Sequence, residues 1–166
     1  MNLDEVLTSY LTFQLGDELF GTPVGKVLEI LEVPRITKVP KSPHFMRGVI
    51  NLRGNVLPVM DSRMKFGLPQ AKDTLNTCII VLAIKLDGQE ISIGAVVDSV
   101  QEVLEIDGES IQPPPAMGGK FKSEFVEGMV KAEDQFIMLL DVDRVFTSNE
   151  VSILHDLSEL PISVKN

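Results

Sequence analysis

The chain contains itself twice. Set over one another without a gap, Gly21–Val33 and Gly94–Ile106 agree at six of 13 positions, and apolar character coincides at most of the others. Further on, Phe45–Phe66 lies over Phe125–Phe146, again without a gap, sharing Phe, Gly, Asp and Phe at matched places. The offset grows from 73 to 80 residues because the intervening loop is seven residues longer in the second copy, where Pro113-Pro114-Pro115 and Gly118-Gly119 stand. Two related halves follow, about 10–68 and 76–146, and whatever fold one adopts the other should share.

Each half reads as β structure. Leu11–Leu15 and Leu19–Val24 flank Gly16-Asp17-Glu18, a loop suited to a tight hairpin, and Cys78–Leu86 and Ile91–Val97 repeat this around Asp87-Gly88. The stretches Val27–Val33 and Val100–Ile106 have apolar spacing that fits either a strand or a helical turn. A further hairpin, Gly48–Arg53 and Val56–Met60 around Gly54-Asn55, is echoed by Gly128–Glu133 and Gln135–Leu140. Four to five short strands cannot make a stable lone sheet, so each half must close as a small barrel or pack on its twin. After them Thr147-Ser148-Asn149-Glu150 has capping-box spacing, and Val151, Leu154 and Leu157 form an apolar stripe that Pro161 ends. This predicts a C-terminal helix over 147–160 that packs back across the barrels, docking on a partner being the alternative, with tails at 1–9 and 161–166.

With 44% apolar residues among 166, a core needs no staple, and the sole cysteine, Cys78, sits in an apolar run where neither a disulfide within the chain nor a thiolate metal site can form. Met1–Glu5 lacks the basic start of a leader, and no run of eighteen apolar residues follows, so the sequence reads as cytosolic with no direct membrane insertion. The net charge of −9 is unevenly spread: between Val33 and Lys72 stand eight basic residues and one acid, Asp61, against seven basic and 23 acidic residues elsewhere. Such a bipolar molecule suits two unlike partners, or neighbours in an array.

Catalytic chemistry is not apparent. His44 and His155 have no histidine or cysteine to work with, and Asp141-Val142-Asp143, the nearest approach to a metal ligand set, loses its second acid in the repeat partner Asp61-Ser62-Arg63. A turn or strand-end role suits it better. Gly118-Gly119-Lys120 lacks the spacing of a phosphate loop. Nucleic-acid binding on the basic segment would need exposed aromatics, yet Phe45 and Phe66 both recur in the second half, where the positive charge does not, and so read as core. No enzyme, cofactor or metal is expected.

The run Phe45–Asp61, preceded by Gly21, Val27, Glu29 and Ile30 and followed by Gly94, Asp98 and Val100, resembles the CheW domain family over about residues 10–146. That resemblance implies an all-β fold of two tandem five-stranded SH3-like barrels packed together. It implies an adaptor that joins chemoreceptor cytoplasmic tips to the regulatory domain of the histidine kinase CheA, recruited from the cytoplasm to membrane-associated arrays, and it leaves open rings with further copies of the coupling protein. The alternatives are a coupling protein of a non-flagellar chemosensory system and, from another class, a nucleic-acid-binding small barrel.

Carried over by motif, the receptor-facing positions are Val27, Glu29, Ile30, Val33, Val97 and Val100, lining a groove between the barrels. The kinase-binding or inter-barrel positions are Gly48, Asn51, Arg53, Gly54, Val56 and Pro58. Glu29 has a counterpart in Glu102 amid apolar residues and should reach solvent or a partner, because an unpaired buried charge is costly. Strand alternation sets Arg53 outward, exposed or paired to an acid, and the repeat has Glu133 there. Val56–Val59 lacks alternation, as in a strand covered on both faces. Two positions depart from the family: Thr22-Pro23 replaces an aliphatic pair, requiring an edge or bulge at Pro23, and Ser62 stands for leucine.

Overall fold

Three tight turns of the same kind set most of the architecture. In a computed structural model that describes residues 7–113 and 125–145, Arg53-Gly54, Asp87-Gly88 and the first residue of Glu133-Asp134 all take positive φ, from 51° to 88°. This twist matches that of the strands they join. They close the hairpins β4–β5 (Met46–Leu52, Asn55–Asp61), β6–β7 (Cys78–Leu86, Gln89–Val97) and β9–β10 (Val126–Ala132, Gln135–Leu140). The hairpin β1–β2 (Leu7–Leu15, Glu18–Pro23) turns at Gly16-Asp17, with Gly16 at φ 63°. The turn expected at Gly54-Asn55 thus lies one residue earlier. The undecided stretches are strands, β3 (Val27–Glu32) and β8 (Ser99–Asp107), and burial in β3 alternates residue by residue. One-turn helices α1 (Ser62–Lys65) and α2 (Val142–Val145) follow β5 and β10.

The sheets do not follow the repeat boundary. One sheet runs β8-β1-β2-β10-β9 and the other β3-β6-β7-β5-β4, so each takes a leading hairpin from one half and its other three strands from the other. Replacing every strand by its repeat equivalent turns one order into the other. The exchange hinges on two parallel pairings at matching repeat positions, Leu139 beside Gly21 and Val59 beside Gly94. Halves 10–68 and 76–146 therefore describe the duplication, while the packed units are interleaved. The physical reason is that β2 and β7 offer the same edge to β5 and β10, and nothing in a strand's own pattern says which copy it meets.

In strand pairing each sheet is mixed and open, with β8 and β9 as the outer strands of one and β3 and β4 of the other, so the two five-stranded units expected are present as sheets that backbone pairing does not close. Single bridges, Thr37 with Val49 and Gln112 with Met129, carry the loop after β3 onto β4 and the loop after β8 onto β9. Each sheet wraps a small core of its own, built on Ile50, Leu57, Val59, Ile79, Val81 and Val96 in one and on Tyr10, Ile106, Ile137 and Leu139 in the other. A larger core lies between them, where Phe13, Phe20 and Phe66 stack at 5.9 and 5.5 Å and Phe125 meets Phe66 edge-on at 6.1 Å. Phe45 and Phe66 are buried, as their recurrence implied. Pro23 ends β2 beyond the three residues that β10 pairs, so its missing N–H costs no ladder bond there. The helix expected over 147–160 lies outside the described residues.

The glycines shared by both copies mark the closest approaches. A Cβ on Gly48 would stand 2.1 Å from the Thr37 carbonyl oxygen, and one on Gly128 would stand 2.7 Å from the Gln112 oxygen. Gly48 also holds φ at 147°, a region side chains avoid. Gly48→Ala should therefore lower the melting temperature by roughly 5–10 °C, whereas Gly108→Ala, which meets open space, should shift it by less than about 1–2 °C; thermal unfolding followed by circular dichroism measures both.

Candidate docking site

The chain changes sheets at two equivalent points, and an ion pair holds each. Between β7 and β8, Asp98 accepts from Arg63 Nε and Nη2 at 2.8 and 2.7 Å and from the Gly16 amide at 2.7 Å, tying α1, the crossover and the β1–β2 turn together. Arg63 also donates to the Pro69 carbonyl at 2.9 Å. At the matching crossover between β2 and β3, Lys26 Nζ donates to both oxygens of Asp143 on α2, at 3.0 and 2.9 Å, and Asp143 accepts the Lys85 amide at 2.9 Å. Arg63 and Asp143 are repeat equivalents, so the two clamps are the same device with the charges reversed. Asp61 and Asp141, shared by both copies, cap α1 and α2 by accepting from the Met64 and Arg144 amides, each at 3.2 Å. Asp141-Val142-Asp143 is thus a cap and a clamp, as a strand-end role required.

Around these fixed points the exposed chemistry collects on β3. Leu28 and Ile30 are 54% and 46% exposed on this outer strand, and Val24 stands exposed just before it. Beside them Arg53, at the β4–β5 tip, is ion-paired to Glu29. Because β3 and β4 are opposite edges of one sheet, the pair spans the seam that backbone pairing leaves open. In the twin sheet the same positions are Glu102 and Glu133, two carboxylates that cannot pair. Asn51 braces the tip by accepting from the Gly54 amide at 2.8 Å.

The residues predicted from sequence separate into layers. Glu29 and Ile30 are available to a partner, with Val27 and Val100 half-buried against the central core and Val33 against the core of its own sheet. Val97 is 1% exposed and belongs to the central core, which corrects its placement on a groove surface. Among the set expected to bind the kinase or to lie between barrels, Asn51, Arg53 and Gly54 are exposed, Val56 is half-buried, and Gly48 and Pro58 are buried within the chain. Gly48 is held under Thr37, and Pro58 lies in a strand flanked by β4 and β7. From Leu57 to Asp61 consecutive residues of β5 are buried, so this part of the strand is covered on both faces within the chain. Sequence reading missed Leu28 and Val103. Val103 is the repeat equivalent of Ile30 and is 56% exposed, so for Val103 the recurrence of an apolar pair between two acids on both outer strands was the available signal, while Leu28, matched by Gln101, had none of this kind.

Three arginines of the basic segment between Val33 and Lys72 are tied to acids among the described residues: Arg47 with Asp61 and Asp73, Arg53 with Glu29, and Arg63 with Asp98. Arg35, Lys38, Lys41 and Lys72 remain exposed on the same segment. Among the described residues no helix is long and apolar enough to cross a membrane, and no group of three or more His, Cys, Asp or Glu is placed to hold a metal.

A duplicated two-sheet domain whose exposed chemistry is an apolar outer strand framed by charge defines a protein-docking module. The family model described as "CheW-like domain" matches residues 9–150. Curated relatives include the chemotaxis protein CheW of Klebsiella aerogenes, 32% identical over 150 residues that cover 90% of this chain and 88% of that one. Others are CheW of Rhizobium meliloti, 34% identical with 84% and 88% covered, and the protein FrzA of Myxococcus xanthus, 33% identical with 82% and 83% covered. The crystal structure of the scaffolding protein TtCheW from Thermoanaerobacter tengcongensis superposes with a TM-score of 0.76 at 34% identity, covering 87% of this chain and 96% of that one. The chain belongs to the CheW-like family of chemotaxis coupling proteins, and it is an adaptor rather than an enzyme.

The Asp98 clamp has a pH signature. Burial alone would raise the Asp98 carboxyl, but the Arg63 hydrogen bonds, the Gly16 amide and the Arg63 charge outweigh it and hold the group below the usual carboxylate range. A carboxylate lowered by folding adds stability above its unfolded value, near 4, and that contribution is lost as pH falls through the lower folded value. Asp98→Asn should therefore melt below the parent at pH 7, and the gap between them should close as pH drops towards 3; a gap independent of pH would contradict the assignment.

Proposed function

We propose that this chain couples chemoreceptor cytoplasmic tips to the regulatory domain of the histidine kinase CheA, in the cytoplasm and recruited to membrane-associated arrays. The observation that carries the reading, beyond family membership, is the outer strand β3 with Leu28 and Ile30 exposed beside the Glu29–Arg53 pair. A receptor tip is a helical hairpin, and the apolar stripe of such a helix needs an apolar strip edged by charge to fix its register. On this reading Ile30, Leu28 and Glu29 meet the receptor, with Val27, Val33 and Val100 supporting them from below. The β4–β5 tip, with Asn51, Arg53, Gly54 and Val56, faces the kinase. We read each sheet, with its own small core and one bridge from the loop after its outer strand, as an SH3-like barrel, and the pair as one domain over about 10–146.

The alternative of a coupling protein in a non-flagellar array rests on the likeness to FrzA and differs only in which receptors and kinase are met. Arg53 is 67% exposed, so its pair adds little to stability, about 0–1 kcal/mol at such a surface. Ile30→Asp should consequently weaken binding of a receptor-tip hairpin by about tenfold or more, and Arg53→Glu should weaken one of the two partners, with the melting temperature of each variant within about 3 °C of the parent. Calorimetric titration against the tip hairpin and the kinase regulatory domain measures this; unchanged affinity for both would overturn the site, and failure of the intact parent to bind either would overturn the function.

A further inference from the structure

The central core contains a cavity lined by residues that the repeat relates to one another. Thr22 on β2 and Ala95 on β7 are one such pair, and Ser62 and Val142, the first residues of α1 and α2, are another; Phe66 and Leu140 close the space. Four small or short side chains thus meet where the two copies face each other, leaving room for one water-sized occupant among mainly apolar walls. The first copy puts hydroxyls at both positions, and the second puts methyl and isopropyl groups there.

Thr22 is 1% exposed, and its Oγ1 has no hydrogen-bond partner among the described residues. The contrast with Thr12 on the neighbouring strand is direct. Thr12 is equally buried, yet its Oγ1 donates to the Glu102 carbonyl at 2.9 Å and accepts from the Glu102 amide at 3.1 Å. A hydroxyl taken from water without replacement costs about 1–3 kcal/mol, and buried polar groups nearly always find a protein or water partner. Lining the same cavity is a second hydroxyl residue, Ser62, which belongs to the other sheet's hairpin unit.

We propose that this cavity is a hydration site holding a single water molecule, bonded to Thr22 Oγ1 on one sheet and to the Ser62 hydroxyl beyond the end of β5 on the other. The water joins the sheets at their centre, as the Arg63–Asp98 and Lys26–Asp143 clamps join them at the crossovers. It also accounts for two hydroxyl residues lining one mainly apolar cavity.

A crystal structure of the full chain, with the core ordered well enough to show internal waters, tests the site directly. One water within 3.5 Å of Thr22 Oγ1 is expected, retained in Thr22→Ser and lost in Thr22→Val. Removing a bridged hydroxyl should also lower the melting temperature of Thr22→Val by about 2–4 °C, with Ser62→Ala showing a smaller loss in the same direction. The inference is overturned if Thr22 Oγ1 bonds to a protein atom, if the cavity holds no water, or if Thr22→Val melts at or above the parent, since a hydroxyl with no partner is better replaced by a methyl group.

Discussion

Two short parallel pairings, β2 with β10 and β5 with β7, hold the rest of the structure in place. Parallel neighbours cannot be joined by a turn and need a long connection, so a half-length chain would have to fold back on itself to make either. The duplicated chain makes both by lending strands reciprocally. At each junction a glycine admits the neighbouring side chains: a Cβ on Gly21 would sit 3.1 Å from Leu139, and one on Gly94 would sit 2.9 Å from Ile79. Separating the halves would remove the three added strands from each leading hairpin, so the exchange makes the two sheets one cooperative unit. The aromatic stack through Phe13, Phe20 and Phe66, and the paired crossover clamps, follow from that interleaving.

Near-symmetry of backbone then permits asymmetry of surface. Because the fold is secured by glycines, capping aspartates and core phenylalanines that both copies share, the remaining positions are free to diverge. The clamps show this most simply, with Arg63–Asp98 and Lys26–Asp143 filling one role with opposite polarity. At the seams the divergence has consequences: Arg53 and Glu29 attract across one, while Glu133 and Glu102 occupy the same places on the other. A molecule that must meet two unlike partners gains two distinct faces without needing two different folds.

Hairpins, core and most strand limits were legible to within a residue or two because their signals are local, the exception being β1, which starts at Leu7 and not at Leu11. Asp87-Gly88 must turn, and alternation and recurring phenylalanines mark what is buried. The exchange between halves was not legible, because β5 presents the same residues to β2 or to its duplicate β7, and only the lengths and paths of the connections decide. Which of the motif's residues reach the surface was legible only in part, for a related reason. Val97, Gly48 and Pro58 lie in the motif that marks the family, but they are in that motif for packing, whereas Leu28 and Val103 look like core in sequence and lie exposed. The pairing of Arg53 with an acid followed from its outward place on the strand, because a charge in an apolar neighbourhood has few places to go.

The same reasoning explains why an exposed apolar strand can persist here. An outer strand with Leu28 and Ile30 on its surface invites pairing with any other free edge. In β3 three features oppose that: a register shift between Val27 and Glu29, two acids three residues apart (Glu29 and Glu32), and an ion pair anchoring Glu29 to the far edge of its own sheet. An edge so guarded rejects a second flat strand but still offers side chains to a helix, which contributes no backbone edge and brings its own charges. On the proposed function, selectivity for a helical partner over strand addition follows from the local irregularity of β3 and not from the depth of any pocket.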